Sequence, residues 1–498
     1  MTVLRPSPAP RRRPLAACCA ALFALATPEA FAGIVTSCAD DGSAGTLRSA
    51  IAGAASGDTI DMSGLNSCSL ITLNPGELPI PQASLILQGP TTRDFLIEGN
   101  LYHSGTGTLS INNLTLAFGN AHHRPYSVNG GPYGSPLPGG VYGGCVYSKG
   151  SAVLSHTNVI GCQAFADTSK QYEGARGGGV IVARNLTLLH STVSFNSVDA
   201  TSNAGGLILG GGVCVEGNFV AKYSTIDSNS AGSASGNHSN LVTGGGVEAV
   251  GNASLYETTV SRNTSAYSVG GIHILGAGVG NAAATITNST ISGNDAPSGG
   301  GLFSNISANI SNSTIAFNTK HAASGYAAGA AFTTFARNTV VNLHSTIIAN
   351  NTCSGCTHPN DDLGAFSADA NYTVTFPTDA QQGNFNLIRT TEPSVPGSSL
   401  PPDTIVLLCP LLGPLKNNGG ETWTHALYSG SVAIDGGVNA LGLYYDQRGG
   451  PQPPPNTIPP PPLAYDRHSG VRTDIGAFEY QYSDTIFNAG FEGCPALF

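Results

Sequence analysis

Apolar residues recur along the middle of the chain at fixed distances from a short triplet rich in Ser and Thr. In each unit an aliphatic residue lies two positions after the start of the triplet, and an asparagine lies five positions after it. The triplets begin at Ser191, Ser224, Thr258, Ser289, Ser313 and Ser345, and the asparagines are Asn196, Asn229, Asn263, Asn294, Asn318 and Asn350. A repeat of this length is typical of a solenoid, in which each unit packs on its neighbours.

Within a unit, two pairs of alternating inward positions are out of phase with each other. Leu186 and Leu188 fall on even positions, whereas Ser191 and Val193 fall on odd ones. Because the side chains of a continuous strand alternate strictly between two faces, a change of phase indicates a corner between two strands. A Gly-Gly-x-Val run, such as the one ending at Val180, supplies a third short strand. The pattern therefore predicts an all-β fold, a single-stranded parallel β-helix with three strands in each coil.

We expect the repeated asparagines to form a structural ladder inside this solenoid. Asparagine tolerates the left-handed backbone conformation used at tight corners, and its amide can bond to nearby backbone groups. Stacked coils lie about 4.8 Å apart, so equivalent side chains would lie directly above one another. This structural role is favoured over a binding role.

The first 32 residues have the three parts of a secretory signal peptide. Arg11, Arg12 and Arg13 form a basic start, residues 15–25 form an apolar core, and Ala30-Phe31-Ala32 fits a cleavage site. The apolar run is too short to span a membrane. We therefore predict cleavage after Ala32 and a secreted protein without a transmembrane helix.

Residues 33–104 are expected to form an N-terminal cap and the first coils. Within this region Leu47, Ala50, Ile51 and Ala54 follow helical spacing. A solenoid needs an end cap because its first coil would otherwise expose the core. We predict that this amphipathic helix is the cap.

Two groups of motifs resemble known families. The Gly-Gly-x-[VIL] runs that end at Val180, Val213, Val247 and Leu302 are paired with [VI]-x-x-N motifs. Together they resemble the repeats of polymorphic outer-membrane proteins and other right-handed parallel β-helix proteins of bacterial surfaces, which implies a right-handed β-helix over residues 105–352. Residues 45–51 and 57–60 are similar to the N-terminal caps of secreted bacterial β-helix proteins of the CSLREA type.

A further series of motifs follows the repeats. Its members lie at residues 409–415, 417–422, 424–427, 430–435, 446–449 and 474–479. In this order they resemble the choice-of-anchor Q domain found after β-helices in secreted bacterial proteins, a family linked to surface attachment or sorting. The resemblance implies an irregular C-terminal cap over residues 353–482, a tail over 483–498, and a location outside a bacterial cell or on its outer membrane.

Charge and cysteine content narrow the expected partners. Loss of residues 1–32, with four arginines and one glutamate, would change the formal net charge from −10 to −13. No basic stripe exists, so we expect no nucleic-acid partner, and we expect a monomer. Nine of the eleven cysteines follow Ala32, an odd number for an oxidising compartment. Cys38 with Cys68, and Cys353 with Cys356, are plausible bridges, and the other pairings stay open.

One long insertion, residues 121–140, has the composition of a ligand-binding loop. It carries aromatic and cationic side chains, namely His122, His123, Arg124, Tyr126 and Tyr133. Such groups on a loop favour ligand contact. The alternative is a solvated Gly/Pro-rich insertion. Adjacent histidines without further ligands do not predict a metal site, and no cofactor is expected.

Three functions are compatible with the repeats. The leading hypothesis is a surface protein that binds a carbohydrate or another surface through loops on its coils. A polysaccharide lyase or glycoside hydrolase of the pectate-lyase-like superfamily is the first alternative. Such enzymes need clustered carboxylates, and a lyase also needs a basic partner. The acidic residues of the repeats are scattered, which argues against catalysis. A passive structural protein is the other alternative.

Overall fold

A computed structural model describes most of the chain after the predicted signal peptide. The described residues are 31–74, 76–121, 123–124, 140–166, 174–200, 207–232, 242–276, 283–321, 332–334, 339–354, 362–364, 374–391, 399–449, 465–467 and 470–481. The first 30 residues, the proline-rich insert after residue 450 and the predicted tail over 483–498 therefore lie outside this description.

The described strands stack into three long parallel sheets, as expected for a right-handed parallel β-helix. Within a coil the chain passes through sheet I, sheet II and sheet III in turn. Sheet I contains Leu78–Ile80, Leu101–His103, Val146–Ser148, Val180–Val182, Val213–Val215, Val247–Ala249, Ile272–Ile274, Leu302–Ser304 and Phe332–Thr334. Sheet II contains Phe31–Ile34, Thr59–Asp61, Leu85–Gln88, Thr108–Asn112, Ser151–Ser155, Leu186–Leu189, Phe219–Lys222, Ala253–Tyr256, Ala283–Thr287, Ser307–Ser311, Thr339–His344 and Val374–Thr375. Sheet III contains Leu70–Thr72, Leu96–Glu98, Thr115–Ala117, Asn158–Ile160, Thr192–Ser194, Thr225–Asp227, Thr259–Ser261, Thr290–Ser292, Thr314–Ala316, Ile347–Ala349, Leu387–Ile388 and Ile405–Val406.

Segments predicted to be loops between coils form two further sheets. Sheet IV contains Gln163–Ala166, Ser197–Ala200, Ser230–Ala231, Thr264–Ser265, Asp295–Ala296, Thr319–His321 and Thr352–Ser354. Sheet V contains His123–Arg124, Gly140–Tyr142, Gly174–Arg176, Ile208–Leu209 and Val242–Thr243. Small apolar side chains such as Ala164, Val198 and Ala231 form a separate core there. The predicted three strands per coil were therefore too few, because short strands rich in alanine carry a weak periodic signal.

Glycine runs allow the coils to approach closely before sheet I. Gly210 adopts φ +67°, a left-handed conformation that glycine accepts without a steric penalty. A Cβ atom added to Gly211 would collide with the carbonyl oxygen of Gly245 in the next coil. These runs therefore set the spacing at this corner.

The aliphatic side chains of sheet III form one column inside the solenoid. Val193, Ile226, Val260, Ile291 and Ile315 are fully buried and lie next to one another in register. Burying one such side chain contributes about 1.5–3 kcal/mol, so the column is a major source of stability.

The last repeat is shifted by one residue from the predicted register. Ile315 pairs with Ile348, and Ile348 joins the main core, whereas Ile347 belongs to a second cluster. The triplet of this coil therefore begins at Thr346 rather than Ser345. The Ser-Thr-Ile-Ile sequence fits the pattern in both registers, which explains the error.

The helix Leu47–Gly53 caps the first coil, as predicted. Leu47 and Ile51 point into the main core, and Thr46 caps the helix by accepting a hydrogen bond from the backbone N–H of Ser49 at 3.2 Å. The helix ends at Gly53, and Ala54 is its C-cap residue.

The region after residue 406 folds back along the outside of sheet III. It begins with the antiparallel hairpin Leu412–Lys416 and Thr424–Leu427. We call residues 407–481 the C-terminal segment. The side chain of Ser292 lies 2.8 Å from Nε2 of His425, and the Gly476 N–H donates to the carbonyl of Ser345. The described residues of this segment thus cover the later coils from the side and are otherwise irregular.

Candidate functional site

The outward face of sheet III is open over its early coils and covered over its later ones. Thr115, Asn158, Thr192 and Thr225 occupy equivalent outward positions on adjacent strands, and each is at least partly exposed. The residue that follows each of them points into the core and is a buried aliphatic residue. We call these four side chains the polar strip. Each of these strands has three residues, so the face is only about 7 Å wide along the strand direction.

Aromatic side chains line the first margin of the polar strip. They are His156, His190 and Tyr223, each immediately before a Ser/Thr-rich triplet. The His156 and His190 rings stack with centroids 4.7 Å apart, and so do the His190 and Tyr223 rings. Burial, with smaller effects of Glu257 and Glu421, raises the pKa of Tyr223 to about 12, so its hydroxyl stays neutral. The three rings form a continuous platform, which we call the first aromatic row.

Two phenylalanines line the opposite margin. Phe118 and Phe195 have exposed fractions of 60% and 62%, and their φ angles are +51° and +56°. A bulky residue in the left-handed region is strained, and such strain often occurs at binding sites. The Phe118 ring lies beside Gly161 of the next coil, and most of each ring is exposed to solvent. We call Phe118 and Phe195 the second aromatic row.

The C-terminal segment closes one end of the polar strip. Glu421 Oε2 lies 2.5 Å from Nδ1 of His190 in the first aromatic row. Arg262 donates two hydrogen bonds of 2.8 Å to Asp227, on the last open strand, and its guanidinium lies 4.9 Å from the centre of the Trp423 ring. We call Glu421, Trp423 and Arg262 the wall.

A cleft of about 500 Å³ lies beside the other end of the first aromatic row. It is bounded by Arg93, Asp94 and Phe95 on one side and by His156 and Asn158 on the other. Arg93 is anchored by donating to the carbonyls of Cys68 and Leu65. The cleft therefore lies beside the strip and adds a fixed cation, Arg93, and an exposed carboxylate, Asp94.

Buried charges hold the C-terminal segment together behind the wall. Arg448 pairs with Asp446 at 2.7 Å, and Arg467 donates to the side chain of Asn288 in the β-helix. Burial lowers the pKa of His425 to about 4, so this imidazole is neutral at pH 7. These groups are structural because they are shielded from solvent. Trp423, by contrast, is 38% exposed.

The asparagine ladder runs through the corner between sheets III and IV. The members are Asn196, Asn229, Asn263, Asn294, Asn318 and Asn351, and from Asn229 on each Oδ1 accepts from the backbone N–H and the side-chain amide of the previous member. Asn350 is not part of it, because the last coil is shifted by one residue. Instead Asn350 has φ +60° and its Oδ1 accepts from Arg389. The left-handed conformation expected of the ladder asparagines falls on the preceding residue, such as Phe195.

An aspartate ends this ladder. Asp362 Oδ1 accepts from the backbone N–H and the amide of Asn351 at 2.8 and 2.9 Å. Burial raises the pKa of Asp362 to about 6. Asp362 is therefore the last member of the ladder.

The predicted ligand loop is only partly described. His123–Arg124 forms an antiparallel strand against Gly140–Tyr142 at the edge of sheet V. His122, Tyr126 and Tyr133 lie outside the described residues, so the ligand role of this loop stays a prediction.

The described residues contain one disulfide that was predicted and one that was not. Cys38 and Cys68 are bonded, with Cα atoms 6.4 Å apart, and Cys145 and Cys162 form a second bridge. Cys353 is disulfide-bonded, but Cys356 lies outside the described residues, so that pairing stays a prediction. Cys214 is the free thiol among the described cysteines and is buried.

Several acidic residues of the repeats have buried basic partners that the sequence did not reveal. Glu216 pairs with Arg176 at 2.8 Å, and Glu248 with His273 at 2.9 Å. Both pairs lie near sheets I and V, away from the polar strip. Among the described residues, no three His, Cys, Asp or Glu side chains are grouped so that they could hold a metal ion. None of the helices in this part of the chain has the length and apolar character needed to cross a membrane.

Sequence reasoning missed the two aromatic rows, although the repeat contained the signal. The first row occupies the position before three successive triplets, and the second occupies the position before Asn196 and before Gly119, which takes the place of the asparagine two coils earlier. These positions are corners, where a large ring must point outward.

Comparisons with known proteins give a distant structural similarity and no family. No protein-family model matches the chain, and no curated protein matches it. Among solved structures it is similar to the crystal structure of pectate lyase Pel9A, with 11% identity and a TM-score of 0.35 over 91% of this chain and 98% of that one. At this TM-score the similarity carries no argument about fold or function. The CSLREA-type and choice-of-anchor Q resemblances stay predictions.

Proposed function

We propose that the polar strip and the two aromatic rows bind an extended polysaccharide chain. The observation that supports this most directly is the pair of aromatic margins on a narrow polar face. The C–H faces of sugar rings pack on aromatic rings, while their hydroxyls need hydrogen-bonding groups such as those of Thr115, Asn158 and Thr192. Phe118 and Phe195 are two coils apart, about 9.6 Å. That distance is close to the repeat of two sugars in an extended β-linked chain.

The charge of the chain favours a neutral polysaccharide. The formal net charge is −10, so a polyuronate would meet overall repulsion. At the strip, the Asp227 carboxylate is paired with Arg262, and Glu421 Oε2 lies 2.5 Å from Nδ1 of His190. Because the charge of Asp227 is balanced locally, stacking and hydroxyl contacts dominate the expected recognition.

We also propose that the protein works outside the cell, as a secreted or surface-displayed monomer of a bacterium. The predicted signal peptide supports secretion, with cleavage after Ala32. The ordered motifs after residue 408 support attachment or sorting of the choice-of-anchor Q type. In this proposal the C-terminal segment both bounds the binding face and carries the attachment function.

A pull-down with the mature protein tests the binding function. The panel contains amorphous cellulose, xylan and chitin as neutral chains, and polygalacturonate and alginate as uronates. We expect binding to a neutral chain, reduced about tenfold by His190→Ala or Phe195→Ala. Tyr267→Ala, which removes another exposed aromatic ring away from the strip, is the matched control and should bind normally.

Other outcomes of this experiment separate the alternatives. Release of unsaturated ends from polygalacturonate or alginate would support a lyase and contradict the binding protein proposed here. An absence of binding to the entire panel would contradict the proposal and favour a structural role.

A further inference from the structure

The polar strip does not continue under the C-terminal segment, because that segment occupies the same outward positions. The next member of the strip would be Thr259, which is fully buried. Its hydroxyl donates to the carbonyl of Trp423 at 2.6 Å and accepts from Gln447 Nε2 at 2.9 Å. One coil later the hydroxyl of Thr290 donates to Gln447 Oε1. The chain's own backbone and side chains thus occupy the hydrogen-bonding groups on the outward face of the later coils. A polysaccharide bound to the polar strip could not continue across these coils.

The wall that ends the strip is held firmly from behind. Thr422 Oγ1 donates to the carbonyl of Glu257 and accepts from Gln447. The adjacent residues Glu421 and Trp423 are therefore fixed relative to sheet III. Because the hydrogen bonds that anchor it are buried, the wall has a fixed position in the site.

The front of the wall is open and spans the strip from one margin to its floor. The side chains of Glu421 and Arg262 are 47% and 48% exposed, and Trp423 is 38% exposed. Glu421 contacts the first aromatic row through His190, and Arg262 contacts the floor through Asp227. A carboxylate, a guanidinium and an indole ring therefore face solvent together where the strip stops.

We propose that the site recognises the end of a polysaccharide chain, with the wall against its terminal sugar. This inference rests on the proposed binding function and specifies which part of the polymer the protein binds. A terminal sugar exposes one hydroxyl and one edge that internal sugars use for the next linkage. The wall offers both hydrogen-bonding partners and an apolar surface for such an edge. In the opposite direction the outward face of sheet III is exposed as far as Leu70, so the rest of the polysaccharide can extend away from the wall.

The experiment varies the number of chain ends at constant polymer mass. Xylan, amorphous cellulose and chitin are compared before and after partial acid hydrolysis, and the bound protein is measured at saturation. We expect the capacity to rise in proportion to the number of ends. A capacity that follows mass alone would overturn chain-end recognition while leaving polysaccharide binding intact, whereas no binding to any of the three would overturn both.

Variants of the wall give a second, independent readout. Trp423→Ala should weaken binding to hydrolysed chains about tenfold, and Trp423→Phe should restore most of it because an aromatic face is kept. Val471→Ala, at an 87% exposed position of the same segment, is the control for general effects of mutating that segment. Equal loss in Trp423→Ala and Val471→Ala would contradict a role for the wall.

Discussion

The side-chain oxygen of Asn263 accepts two hydrogen bonds from Asn229, one from its backbone N–H at 3.0 Å and one from its amide at 2.9 Å. Asn263 in turn donates to the Ile226 carbonyl and to Asn294. We predict that Asn263→Ala lowers the free energy of unfolding by about 3 kcal/mol, because several buried polar groups lose their partners. Urea unfolding followed by far-UV circular dichroism measures this loss.

An exposed asparagine is the control for this substitution. Asn309 lies on the surface of sheet II and accepts one hydrogen bond from Asn342. Asn309→Ala should cost less than about 0.5 kcal/mol. Similar losses for the two variants would show that the ladder adds no special stability.

The second aromatic row should carry strain that serves binding. We predict that Phe195→Gly leaves the free energy of unfolding unchanged or raises it by up to about 1 kcal/mol, since glycine accepts φ +56°. The same substitution should weaken polysaccharide binding. Urea unfolding and the pull-down described above measure the two effects.

Phe317 provides a matched comparison at the equivalent corner of a later coil. Its φ is +59°, but its ring lies 4.9 Å from that of His425 in the C-terminal segment. Phe317→Gly should therefore lose about 1–2 kcal/mol of stability through lost burial. If Phe195→Gly were equally destabilising, strain relief would not be the main effect there.

Much of the fold was predictable because coil stacking imposes one residue pattern on every unit. The column from Val193 to Ile315 follows directly from the period. The error in the last coil arose where Ile347 and Ile348 are both aliphatic, so the pattern allowed two registers. Sheets IV and V escaped prediction because segments such as Ser230–Ala231 are too short and too rich in small residues to show alternation.

The binding site was less predictable because it depends on contacts between distant parts of the chain. Nothing local indicates that Trp423 lies over Arg262, or that Glu421 meets His190. Such contacts arise because the C-terminal segment folds back, and the sequence carries no periodic signal for that path. The predicted loop around His123 was identified from composition, which does not report position on the coil.

The bridge between Cys145 and Cys162 should stabilise the early coils. It closes a loop with a sequence separation of 17 residues, and Cys162 takes the place of a ladder asparagine. We predict that the double variant Cys145→Ala/Cys162→Ala loses about 3 kcal/mol in urea unfolding. Cys214→Ala removes a buried free thiol and should cost about 1 kcal/mol. Peptide mapping without reduction that linked Cys214 to either residue would contradict this pairing.

The C-terminal segment should loosen at alkaline pH. Glu479 and Asp474 are both buried, and the Asp474 N–H donates to Glu479 Oε2 at 3.0 Å. Burial, and then the charge of Asp474, raises the pKa of Glu479 to about 10 against the opposing effect of Arg467, and burial raises the pKa of Asp474 to about 7. Between its ordinary and its raised pKa, each carboxyl has lost its proton in the unfolded chain but keeps it in the folded one. Stability is therefore greatest at low pH with respect to these groups and falls as the pH rises toward the raised value.

Trp423, the single tryptophan, lies in this segment and reports on it by fluorescence during unfolding. Between about pH 8 and about pH 9.5, where Asp474 is already ionised, we expect the free energy of unfolding to fall by about 1.4 kcal/mol per pH unit. Glu479→Gln keeps the shape of the side chain without its charge, so its stability should vary much less over this interval. An equal slope for the two proteins would mean that another group controls the alkaline loss.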